Sequence, residues 1–225
     1  MGKGNRSRKQ RTTSVGSPVA EGPYFHGGVP GKSPGDMVWS AQRLGFAFQY
    51  RASEAPYDPS YVYISTDVNV ATTYASRYVD FYSNREGYGD VYEVEPLETP
   101  QADPDYHVFP EVFVRCRSAR ITRVVDTGVW LSRTEQNYLG RHYDVWGERG
   151  YPVFDDTGHI IPSEQMRANG VTREWTKLLR PWLGTQDVDP YGRLSISSRS
   201  SNLWSTVLYA VPALPCYSSP SPSSI

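Results

Sequence analysis

Between residues 20 and 130 one run carries a helical period. Ala71, Tyr74, Ala75, Tyr78 and Val79 fall at i, i+3, i+4, i+7 and i+8, behind Thr66 or Asp67 as a cap. The segments around it are short, aromatic or β-branched, and cut by Gly and Pro. Pro23–His26, Tyr61–Ile64, Asp90–Val94 (stopped by Pro96), Glu111–Cys116 and Arg120–Asp126 read as strands, with a Gly/Pro turn over Gly27–Gly35. This pattern predicts an α+β chain, mostly β with one clear helix in its first half.

Residues 131–215 carry weaker signals. Ser163–Asn169 and Thr172–Leu179 suit helices separated by Gly170 as a C-cap, Tyr151–Ile161 suits a hairpin around Asp155-Asp156-Thr157-Gly158, and Leu203–Val211 alternates as a strand. The expected organisation is a basic arm at 1–19, a core at 20–130, an extension at 131–215 packing on that core, and a Ser/Pro tail at 216–225.

With 225 residues and 38% hydrophobic content the chain can bury one sizeable core. The formal charge is −1, of which Lys3, Arg6, Arg8, Lys9 and Arg11 contribute +5, leaving −6 on the remainder. An acidic body argues against a nucleic-acid surface there, because phosphate recognition rests on Lys and Arg; the basic arm reads as a solvated tail. No apolar h-region follows the basic start and no apolar run of about 18 residues occurs, so the expectation is a soluble cytoplasmic protein without membrane contact. Cys116 and Cys216 form no CxxC pair, and His26, His107, His142 and His159 are dispersed, so no metal is expected; whether the cysteines pair is left open.

Five segments carry the chemistry: Gly22-Pro23-Tyr24-Phe25-His26-Gly27, Pro34-Gly35-Asp36-Met37-Val38, Val62-Tyr63-Ile64-Ser65-Thr66, Asp90-Val91-Tyr92-Glu93-Val94-Glu95-Pro96 and Ala102-Asp103-Pro104. In this order and spacing, the stretch from Gly22 to about Trp130 resembles the rifamycin ADP-ribosyltransferases and, more broadly, the bacterial toxin and poly-ADP-ribose polymerase superfamily. The resemblance implies a core of two small packed sheets around a cleft for NAD, which is a substrate here. It assigns His26 to a ribose hydroxyl, the main chain of Gly27 to the nicotinamide carboxamide, the ring of Tyr63 to stacking on nicotinamide, and Asp103 to the acidic catalytic position. Ser65 and Tyr74 join the NAD contacts. His26, Tyr63 and Asp103 form the implied catalytic set.

Departures from that family bear on the acceptor. Gly28 stands where the rifamycin enzymes carry Thr, and Phe109-Pro110 runs into Glu111-Val112-Phe113 in place of a Gly-Asn-Pro-Thr stretch. Ala71 replaces the Ser that the polymerase branch sets on the carboxamide, which argues against polymer synthesis. The implied activity is transfer of one ADP-ribose to a protein, a nucleic acid or a rifamycin-type molecule, with nicotinamide released. The alternative is a catalytically inactive NAD-binding module of the same fold.

Cleaving the nicotinamide–ribose bond leaves positive charge on the sugar, which a carboxylate and oriented dipoles stabilise. Rival carboxylates exist, since Glu93 and Glu95 share one face of an alternating strand. Each candidate also has an ordinary structural use: His26 as a strand end, Tyr63 as a sheet aromatic, Tyr74 as a helix core residue, and Asp103 as the start of a turn before Pro104.

Overall fold

A computed structural model describes residues 22–45, 58–80, 87–147, 149–198 and 205–209. Both ends assigned from sequence, 1–19 and 216–225, lie outside the described residues. The chain is α+β, with mostly antiparallel strand pairing. Seven strands are hydrogen-bonded in the order β2-β7-β4-β1-β3-β6-β5, with β1 Tyr24–Gly28, β2 Met37–Trp39, β3 Val62–Ser65, β4 Gly89–Pro96, β5 Gln101–Ala102, β6 Phe113–Cys116 and β7 Ser118–Val129. Two compact units are distinguished: the described residues within Met1–His26, Lys32–Asp67 and Tyr92–Val124, and those within Gly27–Gly31, Val68–Val91 and Val125–Ile225.

The first unit is built on strand alternation. Val62 and Ile64 of β3, Val114 and Cys116 of β6, Ala119 and Ile121 of β7, Tyr92 and Val94 of β4 and Val38 of β2 form one buried cluster, with Tyr24 packed against it. Successive strand residues point to opposite faces, so Tyr63 and Arg115 face away from that cluster. Cys116 is a buried free thiol, pushed up to about 12 by burial first and by the charge of Glu98 second. Cys216, whose pairing with it the sequence leaves open, lies outside the described residues.

The second unit begins with α1 (Val68–Ser76), which is shorter than the periodicity predicts. Its buried residues are Val70, Ala71, Thr73, Ala75 and Ser76, while Tyr74 is 45% exposed and Val79 lies beyond the helix and is exposed. The expected face built on Tyr74 and Val79 is therefore replaced by one of small residues. Gly27 gives the reason. A Cβ placed there would lie 1.9 Å from the carbonyl oxygen of Ala71 and 2.6 Å from the amide of Ala75, so the helix backbone rests directly on the glycine. Such an approach selects alanines for the inner face and leaves the tyrosine outside.

The rest of this unit has its own core of Val153, Phe154, Ile160, Met166, Val171, Leu183 and Val188, flanked by Trp146, Trp175, Leu179, Trp182 and Leu194. The two helices expected here form as α3 (Glu164–Ala168), capped by Ser163, and α4 (Arg173–Thr176), capped by Thr172; Gly170 lies between them at φ +83°. The turn at Asp155–Gly158 forms as expected, with Phe154 bridging Ile160. Helix α2 (Arg133–Gly140), with a capping box between Ser132 and Glu135, is a further element. So is the short hairpin of β8 (Val145–Trp146) and β9 (Tyr151–Pro152). The strand expected over Leu203–Val211 is β11 (Ser205–Tyr209), paired with β10 (Leu194–Ser198). Among the described residues no helix is long and apolar enough to cross a membrane.

Candidate functional site

The three expected catalytic residues, His26, Tyr63 and Asp103, all belong to the first unit. β1 pairs with β3 at Phe25↔Ser65, and the next contact between them is made by a side chain. The His26 Nδ1 lies 3.0 Å from the carbonyl oxygen of Tyr63. A carbonyl can only accept, so Nδ1 carries the proton; with burial and the nearby Lys32 charge lowering the pKa of His26, the neutral ring keeps Nε2 as an acceptor.

Tyr63 sits on the other strand of this contact, and its hydroxyl is tied down locally. It accepts from the amide of Asp58 at 2.9 Å and donates to the carbonyl of Asp58 at 3.3 Å. Burial raises the phenol pKa, as does the charge of Asp103; Asp58 and Arg115 act in the opposite direction.

Asp103 follows β5, and its amide donates to the carbonyl of Phe113 on β6 at 2.9 Å. The side chain performs the expected turn-starting role, its Oδ1 accepting from the Asp105 amide at 3.1 Å to cap the short 3-10 turn Pro104–Tyr106. It is also 4% exposed, and burial pushes its carboxyl pKa up; the Asp105 charge adds to this and Arg115 opposes it. A buried carboxyl coupled to a phenol and a guanidinium is an arrangement that perturbs proton affinity and concentrates charge, as reaction centres do.

Arg115 is the residue that motif reading passed over. β6 pairs with β3 as Tyr63↔Arg115 and with β5 as Gln101↔Arg115, so it occupies the middle strand of this row. Alternation in Phe113-Val114-Arg115-Cys116 could have revealed a charged side chain facing away from the core.

The other candidates are placed differently. Ser65 is 2% exposed and its hydroxyl accepts from the Asp67 amide at 3.0 Å, leading the chain into α1. Gly27 and Tyr74 belong to the second unit, where Gly27 admits the backbone of α1 and Tyr74 lies on the outer surface of that helix. Of the rival carboxylates, Glu93 pairs with Arg123 at 2.7 Å and Glu95 is exposed. Neither is among the charges acting on Tyr63. No group of three or more His, Cys, Asp or Glu side chains suited to a metal ion occurs among the described residues.

A scan against models of known protein families finds no match for this chain, and a search of curated proteins finds none either.

Proposed function

We propose that the chain is a mono-ADP-ribosyltransferase that cleaves the nicotinamide–ribose bond of NAD and passes the ADP-ribose to a nucleophile. The observation that supports this most is the grouping of a phenol, a guanidinium and a buried carboxyl along β3, β6 and the end of β5. An imidazole is bonded to the carbonyl of the same tyrosine. The finer fold reading, two small sheets forming a dinucleotide cleft, belongs to this proposal, as does a cytoplasmic location.

Each group has a task in that reaction. Nε2 of neutral His26 accepts a hydrogen bond from a ribose hydroxyl, while the ring of Tyr63 offers its face to nicotinamide. Ser65, two residues beyond Tyr63 on β3, is on the same face of that strand. Asp103, once ionised, supplies negative charge where the sugar becomes cationic. Because it is desolvated, that charge acts more strongly than one in water. Held fixed before the reaction, these groups need no reorganisation as the bond breaks. The acceptor is a protein, a nucleic acid or a rifamycin-type molecule.

A second reading is an NAD-binding module without activity, favoured by one observation: Asp103 is 4% exposed and its Oδ1 caps a turn. Incubation with NAD, measuring nucleotide binding and nicotinamide release in parallel, separates the two. The transferase reading expects release that is lost in His26→Ala. Binding with no release above that variant supports the module.

A further inference from the structure

In the β3–β6–β5 ladder, β6 lies between the strand that carries Tyr63 and the strand that leads to Asp103. Arg115 shares a cross-strand row with Tyr63 and Gln101, and the bond from the Asp103 amide to the Phe113 carbonyl continues the same register two residues on, past Ala102↔Val114. Partners in a row present their side chains on one face, about 5 Å apart. Arg115 therefore stands on the strand between the one that carries the phenol and the one that leads to the carboxyl, and it acts on the proton affinity of both groups.

Two further features mark this arginine. Its Cζ lies 4.2 Å from the centroid of the Tyr61 ring, which fixes the plane of the fork. Its Nε is buried and has no hydrogen-bond partner. Arg117 lies over the same ring at 4.2 Å and donates to the Ser60 hydroxyl at 2.8 Å, but its charge is felt at Asp58 and not at Asp103.

We infer that Arg115 is a positioning residue for the Tyr63–Asp103 pair, flanking the phenol in its cross-strand row and presenting a constant positive charge to the buried carboxylate. The inference rests on the transferase reading. An arginine suits the role because it cannot lose its charge over the working pH range and its planar fork can serve two neighbours at once. The groups acting on Asp103 are Asp105 from its own turn, whose amide lowers its pKa and whose charge raises it, and Arg115 from β6; Tyr63 from β3 feels the Asp103 charge in turn. Arg115 is the cation in this set. Its removal leaves the Asp105 amide as the group that opposes burial and the Asp105 charge, so Asp103 stays protonated to higher pH, and the acidic limb of any step that needs the carboxylate moves in the same direction.

The test compares pH profiles of nicotinamide release for wild type, Arg115→Gln, Arg115→Lys and Arg117→Gln. It adds carbon-13 NMR titration of the Asp103 carboxyl, assigned with Asp103→Asn. Arg115→Gln is expected to lose on the order of tenfold to a hundredfold in kcat/KM. Its acidic limb and its Asp103 titration both move to higher pH. Arg115→Lys restores the limb while keeping a lowered kcat, because the charge returns without the fork, and Arg117→Gln matches wild type in both readouts. If Arg115→Gln does not fold, Arg115→Lys carries the test, and a wild-type kcat in that variant overturns the inference. An active wild type whose Asp103 titrates at the same pH in Arg115→Gln, with the same limb, overturns the inference and leaves the transferase reading standing. A wild type that releases no nicotinamide removes that reading and the inference with it.

Discussion

Two carboxylates, Asp103 of the first unit and Asp155 of the second, are treated in opposite ways, a contrast between residues and not between units, since hydrogen bonds from Ser60 lower Asp58 of the first while burial raises Asp144 and Asp187 of the second. In the first, Asp103 is buried beside a phenol and faces a single arginine, and burial keeps its pKa above the ordinary range. In the second, burial also works against Asp155 but is outweighed by the Thr157 hydroxyl, the amides of His159 and Thr157, and Arg173 at 2.6 Å, so its pKa is lowered. Asp189 follows the same pattern, with burial outweighed by the amide and side chain of Arg193 and the amide of Tyr191. Asp90, also of the second unit, accepts from the amides of Gly31 at 2.7 Å and Gly128 at 2.8 Å. A carboxylate surrounded by donors stabilises a fold. One held in a dry place with few donors costs stability, and a chain keeps it there when its charge has another use.

The contrast is sharpened first by a substitution in the tightly packed second unit. Gly27→Ala forces a methyl group to within 1.9 Å of the Ala71 carbonyl oxygen, where backbone and not a flexible side chain is in the way. The expected loss is about 3 kcal/mol or more, at or above the upper end of ordinary overpacking, read from urea unfolding. A wild-type midpoint would show that α1 does not rest on this glycine.

Next in size is Asp155→Asn. It removes the ion pair with Arg173 and weakens a carboxylate that accepts from two amides and a hydroxyl. A loss of about 1–3 kcal/mol is expected at neutral pH. Because the folded pKa is depressed, this contribution is present above the unfolded value of 3.8 and is lost as pH falls through the lower folded value. Wild type and variant should therefore converge in stability toward strongly acidic pH; a gap that persists there contradicts the assignment.

Asp103→Asn should have the smallest effect on stability, and of the opposite sign. A raised folded pKa means the protonated form is favoured in the fold. That contribution is present below the unfolded value of 3.8 and is lost as pH rises through the folded pKa. At neutral pH the ionised side chain is a liability, whereas asparagine keeps an oxygen for the Asp105 amide. The urea midpoint of the variant is expected at or slightly above that of wild type. A clear loss would make Asp103 a stabilising turn residue of the Asp155 kind, and the comparison would collapse.

The sequence made the alternating strands legible because Val62/Ile64, Val114/Cys116 and Tyr92/Val94 each repeat with period two and are bounded by Gly or Pro. The caps at Ser163 and Thr172 were legible for the same local reason. Helix α1 was located correctly, but its buried face was misread: periodicity ranks Tyr74 by hydrophobicity, whereas the face is set by contact with Gly27, a residue more than forty positions away. The short hairpin of β8 and β9 was missed because strands of two residues carry no period. The candidates His26, Tyr63 and Asp103 were named through the family resemblance that their short motifs carry. Arg115 was legible only as a charged residue facing away from the core; its register against Tyr63 and Gln101, on which its proposed role rests, is a property of paired strands.

The most direct test of the claim that Asp103, coupled to Tyr63, is the acidic group of the reaction is nicotinamide release by Asp103→Asn and Glu95→Gln, measured side by side with wild type. A loss on the order of a hundredfold or more in Asp103→Asn, the scale seen when one electrostatic stabiliser of a transition state is removed, with Glu95→Gln within about twofold of wild type, is the predicted result. Full activity in Asp103→Asn together with its loss in Glu95→Gln would contradict it and move the reaction to β4.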